Sequence, residues 1–405
     1  MLKRVFKAFE YREFRLLWVG ACTSSIGTWM QTVAQSWLVF RLSQSAFMLG
    51  LDSFLGQIPI FLFSLLGGVI ADRMDRRKLL VGSQVVQMTC AFSLAAMFAY
   101  FHVQVWEILA LSFVVGLAQA FGGPAYQALI PTLVDAKDLP NAIALNSIQF
   151  NLARVVGPAL GGIALTELGA AWCFSLNGVS FIAVIVSLLA LQMRPIPPRS
   201  GDSILKSMKE GIAFIRKQPA MEPLICLAFL MTLLGVPLIT FLPVVVQDVF
   251  HMGPVMGPKI FTLLLCTSGA GAVAGALIVA ALGHVHNKGQ VALMTLIGLG
   301  TLMAAFALSR NLTLSCVLLF LAGAALIGVF AMISSLVQLI APDQMRGRVM
   351  SVYNVAFRGG MPIGSLISGA LIKETSVGTV LAANGVLLVL VGLFFLLVQR
   401  RVGHL

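Results

Sequence analysis

Gly67-Gly68-Val69-Ile70-Ala71-Asp72-Arg73-Met74-Asp75-Arg76-Arg77-Lys78 is the stretch on which the fold turns. Small and apolar residues run into a short polar turn that holds two acids, Asp72 and Asp75, within a cluster of four bases. To its left the uncharged run Ser53–Ala71 is 19 residues long, and to its right Leu79–Phe101 carries no charge at all. A helical crossing of the hydrocarbon core takes about 20 mostly apolar residues. The stretch therefore reads as the exit of one membrane helix, a tight turn at an interface and the entry of the next.

Runs of the same kind recur outward in both directions. Leu16–Phe40, Ile108–Val134, Leu168–Met193, Pro223–Gln247, Ile260–Gly283, Gly289–Ser309, Asn311–Pro342 and Thr375–Gln399 are free of formal charge. Asn141–Thr166 and Val349–Ile372 are interrupted by one arginine each, Arg154 and Arg358. Together these predict twelve crossings. A membrane β-barrel would show segments of about ten residues alternating in polarity, and these runs lack that period. The fold class is all-α integral membrane. Composition agrees: of 405 residues, 59% are hydrophobic and 10% charged, where a soluble domain carries about 25% charged.

The net charge of +12 is a matter of orientation. A nucleic-acid binder gathers its bases on one wet face, whereas here they lie between apolar runs. With the first flank, Met1–Arg15, placed in the cytoplasm, 21 of the 27 bases fall on cytoplasmic segments, as the positive-inside rule requires. Both termini are then cytoplasmic, and the expected location is the inner membrane of the cell. The proline-rich, polar stretch Arg194–Gln218 reads as a linker. It divides the chain into a six-helix bundle over 1–193, a linker over 194–218 and a second six-helix bundle over 219–405. The halves echo one another: Arg154 and Pro158 recur as Arg358 and Pro362. Six crossings per half make the repeats parallel, the architecture of transporters. The six cysteines and five histidines are scattered without paired or ligand spacing, so no disulfide, metal or cofactor is expected.

The quoted stretch resembles the helix 2 to 3 loop of the major facilitator superfamily, G-x-x-x-D-R-x-G-R-R, at Gly68, Asp72, Arg73, Arg76 and Arg77. The resemblance implies a conformational latch at those residues. Asp75 stands where the family usually has glycine, and it is expected to keep the turn by adopting left-handed backbone geometry. Further on, Arg154-Val155-Val156-Gly157-Pro158-Ala159-Leu160-Gly161-Gly162 is similar to the superfamily's exporter motif G-x-x-x-G-P-x-x-G-G, with Ala153 in place of the first glycine. Gly157, Pro158, Gly161 and Gly162 match it, which implies efflux and a gating role; close helix packing is the alternative use of the glycines. The stretch Leu139–Ser147, continued by Asn151–Arg154, resembles the exporter branch that contains enterobactin and macrolide efflux proteins.

Candidate site residues follow from burial of polarity in lipid. Arg154 lies 13 residues from Asn141 and 13 from Glu167, hence near mid-membrane, where an arginine costs roughly 2.5–3.5 kcal/mol on insertion scales. It contacts either an acidic or phenolic substrate or a compensating group in a gate, and Arg358 shares that choice. Asp52 is the candidate proton carrier, the alternative being a place at the outer interface. Ser24, Thr28, Gln31, Thr32 and Gln35 form one stripe on the first crossing and are expected to line a cavity or meet a neighbouring helix, with Asn151 and Asn354 extending the lining. The expected function is export of a small amphipathic molecule by alternating access, driven by protons, from a monomer in the bilayer without nucleic-acid partners. A lysophospholipid or lipid translocator is the alternative. An intramembrane enzyme or sensor is disfavoured, since no second acid pairs with Asp52 and no soluble domain is in evidence.

Overall fold

The computed structural model describes residues 6–192, 204–253, 255–282, 287–399 and 402–403. We number its helices α1 (Arg12–Ser43), α2 (Ala46–Arg73), α3 (Arg76–Tyr100), α4 (Val105–Leu129), α5 (Leu139–Glu167), α6 (Ala170–Ala190), α7 (Ile204–Lys217), α8 (Met221–Gly235), α9 (Pro237–Thr240), α10 (Leu242–Asp248), α11 (Met256–Leu282), α12 (Lys288–Leu308), α13 (Leu312–Ile340), α14 (Asp343–Glu374) and α15 (Val377–Leu393). Among the described residues there is no strand.

Among the described residues, eleven spans combine the length and the apolar composition needed to cross a membrane. The twelfth crossing is α1, whose 32 residues reach about 48 Å at the usual helical rise but carry the Ser/Thr/Gln stripe. Large apolar side chains on outer faces, such as Val179, Val186, Ile278 and Leu390, are more than half exposed, as lipid-facing positions are. The crossing expected to be continuous over Pro223–Gln247 is instead broken into α8, α9 and α10. Pro237 and Pro243 each remove a backbone donor at the breaks, and Phe241 between them leaves the helical region at φ −97°, ψ 14°. Pro59, Pro124, Pro158 and Pro362 sit inside helices that run through them.

The chain divides into two compact units, Met1–Leu42 with Ile58–Gly201, and Ser43–Gln57 with Asp202–Leu405. The first part of α2 thus belongs with the second unit. Of the linker read over 194–218, residues 194–203 lie outside the described residues, and 204–217 form α7.

At the base-rich end of the first unit, Phe14, Leu17, Leu80, Leu129, Phe181 and Leu188 pack into one apolar core. The segment before α1 is tied to the start of α5, where Ala8 N donates to Asn141 Oδ1 at 2.8 Å and Tyr11 OH to Asp138 Oδ2 at 2.8 Å. The carboxylate holds the phenol proton and pushes the Tyr11 pKa above its ordinary range.

Candidate functional site

The turn after α2 is built by side chains that satisfy helix ends. Asp75 is the N-cap of α3, at φ −63°, ψ 109°, and its carboxylate accepts from Arg77 N at 2.9 Å and Lys78 N at 3.3 Å. This corrects the left-handed geometry expected there: the residue is extended, and its acid is spent on orphan amides. Arg76 donates from Nη1 to Ala128 O at 3.0 Å and from Nε to Ala71 O at 3.3 Å. Arg77 donates to Leu191 O at 3.0 Å and to Leu189 O. These carbonyls belong to the ends of α2, α4 and α6, where cations offset unpaired acceptors and the negative end of the helix dipole.

Arg73 is exposed, and the Asp72 side chain lies outside the described residues. Gly68 faces open space, whereas a Cβ on Gly67 would stand 2.2 Å from Ala120 O. The glycine that lets α2 and α4 approach is therefore Gly67, beside the motif position.

The polar stripe of α1 meets neighbouring helices. Asn177 Nδ2 of α6 donates to Gln31 Oε1 at 2.6 Å, Gln35 Nε2 donates to Ser112 Oγ of α4 at 2.8 Å, and Gln31 and Gln35 are joined at 3.4 Å. Thr28 Oγ1 donates to Ser24 O of its own helix at 2.9 Å, and Asn151 Nδ2 to Ser147 O at 2.8 Å. Sequence alone gave no register by which Asn177 and Ser112 could be found.

Arg154 is half-buried on α5, with Cζ 5.9 Å from the centre of the Trp29 ring, and that ring meets Phe150 edge-on at 6.2 Å. Within the first unit, among the described residues, no hydrogen bond or ion pair reaches its guanidinium. Gly157 and Gly161 bring α5 against α1: a Cβ on either would lie 2.4 Å from Trp29 Cβ or 2.8 Å from Met30 O. Gly157, Pro158, Gly161 and Gly162 are all buried.

In the second unit Asn354 and Arg358 are exposed one turn apart on α14. Phe357 stacks beside Tyr353 at 6.2 Å and lies 4.6 Å from Phe330 of α13. Below this cluster a cleft of about 430 Å³ is lined by Phe330, Ser334, Ser335, Gln338 and Arg346, among others. Farther along α14 the same stripe is covered. Ser365 is fully buried, its Oγ 3.2 Å from Ser53 Oγ and 3.4 Å from Thr240 Oγ1, and a Cβ on Gly50 would lie 2.5 Å from Ser365 O. Asp52, next to Ser53, is 8% exposed. Gln247 Nε2 also donates to Gln44 Oε1 at 2.7 Å. Sequence reading missed this contact because Gly50, Ser53, Thr240 and Ser365 carry no charge, and small residues mark a helix interface only once the partner helix is known.

A family model described as transmembrane secretion effector matches residues 4–404. The chain belongs to this family of the major facilitator superfamily. It is similar to macrolide efflux protein A of Streptococcus pyogenes, 23% identical over 94% of each chain. It is also similar to the enterobactin exporter EntS of Escherichia coli K12, 26% identical over 96% of this chain and 92% of that one. In fold it matches a bacterial homolog of the human lysosomal transporter Spinster, with TM-score 0.74 at 16% identity over 96% of this chain and 97% of that one. The protein is accordingly a multi-pass membrane transporter with the twelve-crossing fold, and family and fold are those of transporters rather than enzymes.

Proposed function

We propose that the protein exports a small amphipathic molecule across the cytoplasmic membrane by alternating access, in exchange for protons, as a monomer with both termini in the cytoplasm. The observation that carries this reading is the stripe on α14, where Asn354 and Arg358 are open to solvent while Ser365, two turns on, is sealed by Ser53 and Thr240. A polar path that is open below and covered above suits a carrier holding its load in one of two states. The names of the relatives support the outward direction. The distribution of bases supports the orientation.

In this reading Arg154 and Arg358 contact the substrate, with Thr28, Asn151 and Asn354 beside them, while Gln31 and Gln35 act through the helices they join. Gly68, Asp72, Arg73, Arg76 and Arg77 form the cytoplasmic latch, and Gly157, Pro158, Gly161 and Gly162 set the approach of α5 to α1 during gating. Asp52 carries the proton, because a carboxylate this buried exchanges charge at a cost that its surroundings set.

The test is reconstitution in vesicles with a panel of macrolides, siderophores and lysolipids, with and without a pH gradient. Export is expected to depend on the gradient. Asp52→Asn is expected to abolish that dependence while leaving substrate binding within about twofold. Gradient-independent transport by the unaltered chain, or an Asp52→Asn protein that still responds to the gradient, refutes proton exchange through this residue.

A further inference from the structure

The two mid-membrane arginines say more about the cargo than that it is amphipathic. Each is a permanent cation, since a guanidinium does not give up its proton in proteins. Each stands, within its own unit and among the described residues, without a carboxylate partner. Arg154 has the face of Trp29 at 5.9 Å, and Arg358 is exposed beside Asn354.

The acid inventory of the chain explains why. Of its 15 acids, the others in or near the membrane helices, such as Glu107, Glu167, Glu222, Asp248 and Glu374, occupy helix ends. Asp52 lies under two turns inside α2. In the second unit it adjoins Ser53, which meets Ser365, and Ser365 is seven residues from Arg358, about 10 Å along the helix axis. Among the described residues no ion pair joins Asp52 to Arg358.

We propose that the transported molecule is an organic anion: a carboxylate, phenolate or phosphate on an apolar, ring-bearing body. The inference rests on the exporter reading given above and names the substrate class of that site. A guanidinium without a protein carboxylate gains most from an anion, which it holds through two parallel hydrogen bonds. A cationic cargo meets a like charge at either arginine, with no acid paired to that arginine among the described residues of its own unit. Aromatic rings accompany the arginine in each unit taken by itself, Trp29 and Phe150 in the first and Phe330 and Phe357 in the second. Ser334, Ser335 and Gln338 add neutral hydrogen-bonding groups along the cleft of the second unit. The same anionic chemistry is presented by a soluble aromatic acid and by a lipid headgroup, and the probes separate these two sources.

The full chain is reconstituted in vesicles and given a matched set: 1-naphthoate, 1-naphthylmethanol and 1-naphthylmethylammonium, with lysophosphatidylglycerol and lysophosphatidylcholine as the lipid arm. Naphthoate is expected to be carried at least tenfold better than the alcohol or the ammonium if the source is a soluble acid. Lysophosphatidylglycerol is expected to exceed lysophosphatidylcholine by the same margin if the source is a lipid. Arg154→Gln and Arg358→Gln are each expected to reduce the anion preference about tenfold or more, with partial retention in Arg358→Lys.

A second readout does not depend on the variants folding. An anion leaving against an entering proton moves two positive charges inward, whereas a cation leaving against a proton moves none. Anion export is therefore expected to speed up several-fold under a valinomycin-imposed, inside-negative potassium diffusion potential. Equal or better transport of the ammonium probe, unaffected by the potential but dependent on the pH gradient, overturns the anion assignment and leaves the exporter standing. Transport of none of these probes, nor of the broader panel, overturns both.

Discussion

Substituting Gly50 tests the contact that covers the upper part of the α14 stripe. A Cβ at this position would stand 2.5 Å from Ser365 O and 3.3 Å from both the Ser365 carbonyl carbon and Gly369 Cα. All three are backbone atoms, so no side chain can swing aside, and the segment Ser43–Gln57 must move off α14 by nearly an ångström. Overpacking of this kind costs about 1–3 kcal/mol. At about 1.4 kcal/mol per factor of ten, Gly50→Ala should lower the population of the packed arrangement by roughly 5- to 150-fold, and Gly50→Val further.

The assay is disulfide formation in a Ser53→Cys, Ser365→Cys protein whose six native cysteines have been replaced. The hydroxyl oxygens of this pair are 3.2 Å apart, close enough for the sulfurs of a disulfide. Rapid oxidation is expected with Gly50 in place, and slowing by tenfold or more in Gly50→Val. Gly56→Ala is the control, because a Cβ there meets nothing within 4 Å. If Gly50→Val cross-links as fast as the Gly56→Ala control, the close approach of α2 and α14 at this point is refuted.

Two further substitutions examine the base-rich turn. Asp75→Ala should lower stability by about 1 kcal/mol through loss of the cap on α3, while Asp75→Asn stays near the parent and Asp75→Gly, the usual family residue, costs only a few tenths; thermal unfolding in detergent reads the order, and a neutral Asp75→Ala would show that the cap contributes nothing. Arg77→Ala should cost about 1–2 kcal/mol by exposing the carbonyls of Leu189 and Leu191, and Arg77→Lys should recover only part of it, because an ammonium does not offer the two forked donors. Full rescue by lysine would show that only the charge matters there.

The fold was legible at the level of hydrocarbon arithmetic, because a membrane makes one demand that can be counted along a single chain: about 20 apolar residues per crossing. The exception was the crossing over Pro223–Gln247, where the apolar run is unbroken but Pro237 and Pro243 deny it continuous hydrogen bonding. Apolarity reports burial in lipid, and backbone satisfaction is a separate condition.

The site was less legible. The stripe of Thr28, Gln31 and Gln35 announced that polarity must face something other than lipid, but whether that is cargo or a neighbouring helix depends on which helices stand beside α1. Asn177 and Ser112, 146 and 77 residues away in sequence, decide it. Asp75 shows the same limit at short range: its identity narrows the turn to a few geometries, and the carbonyls and amides around it select among them.

Sequence by itself determined the class of this protein, its number of crossings, its basic face and the two arginines placed where arginine is costly. These follow from transfer between water and hydrocarbon, a property each segment has alone. Tertiary structure decided which polar groups are already spent and which stay available. It spent Gln31, Gln35, Arg76 and Arg77 on neighbouring helices, sealed Ser365 under Ser53 and Thr240, and left Arg154 and Arg358 without an anion among the described residues of their own units. Pairing of polar groups depends on distances between helices remote in sequence, and no single segment contains that information.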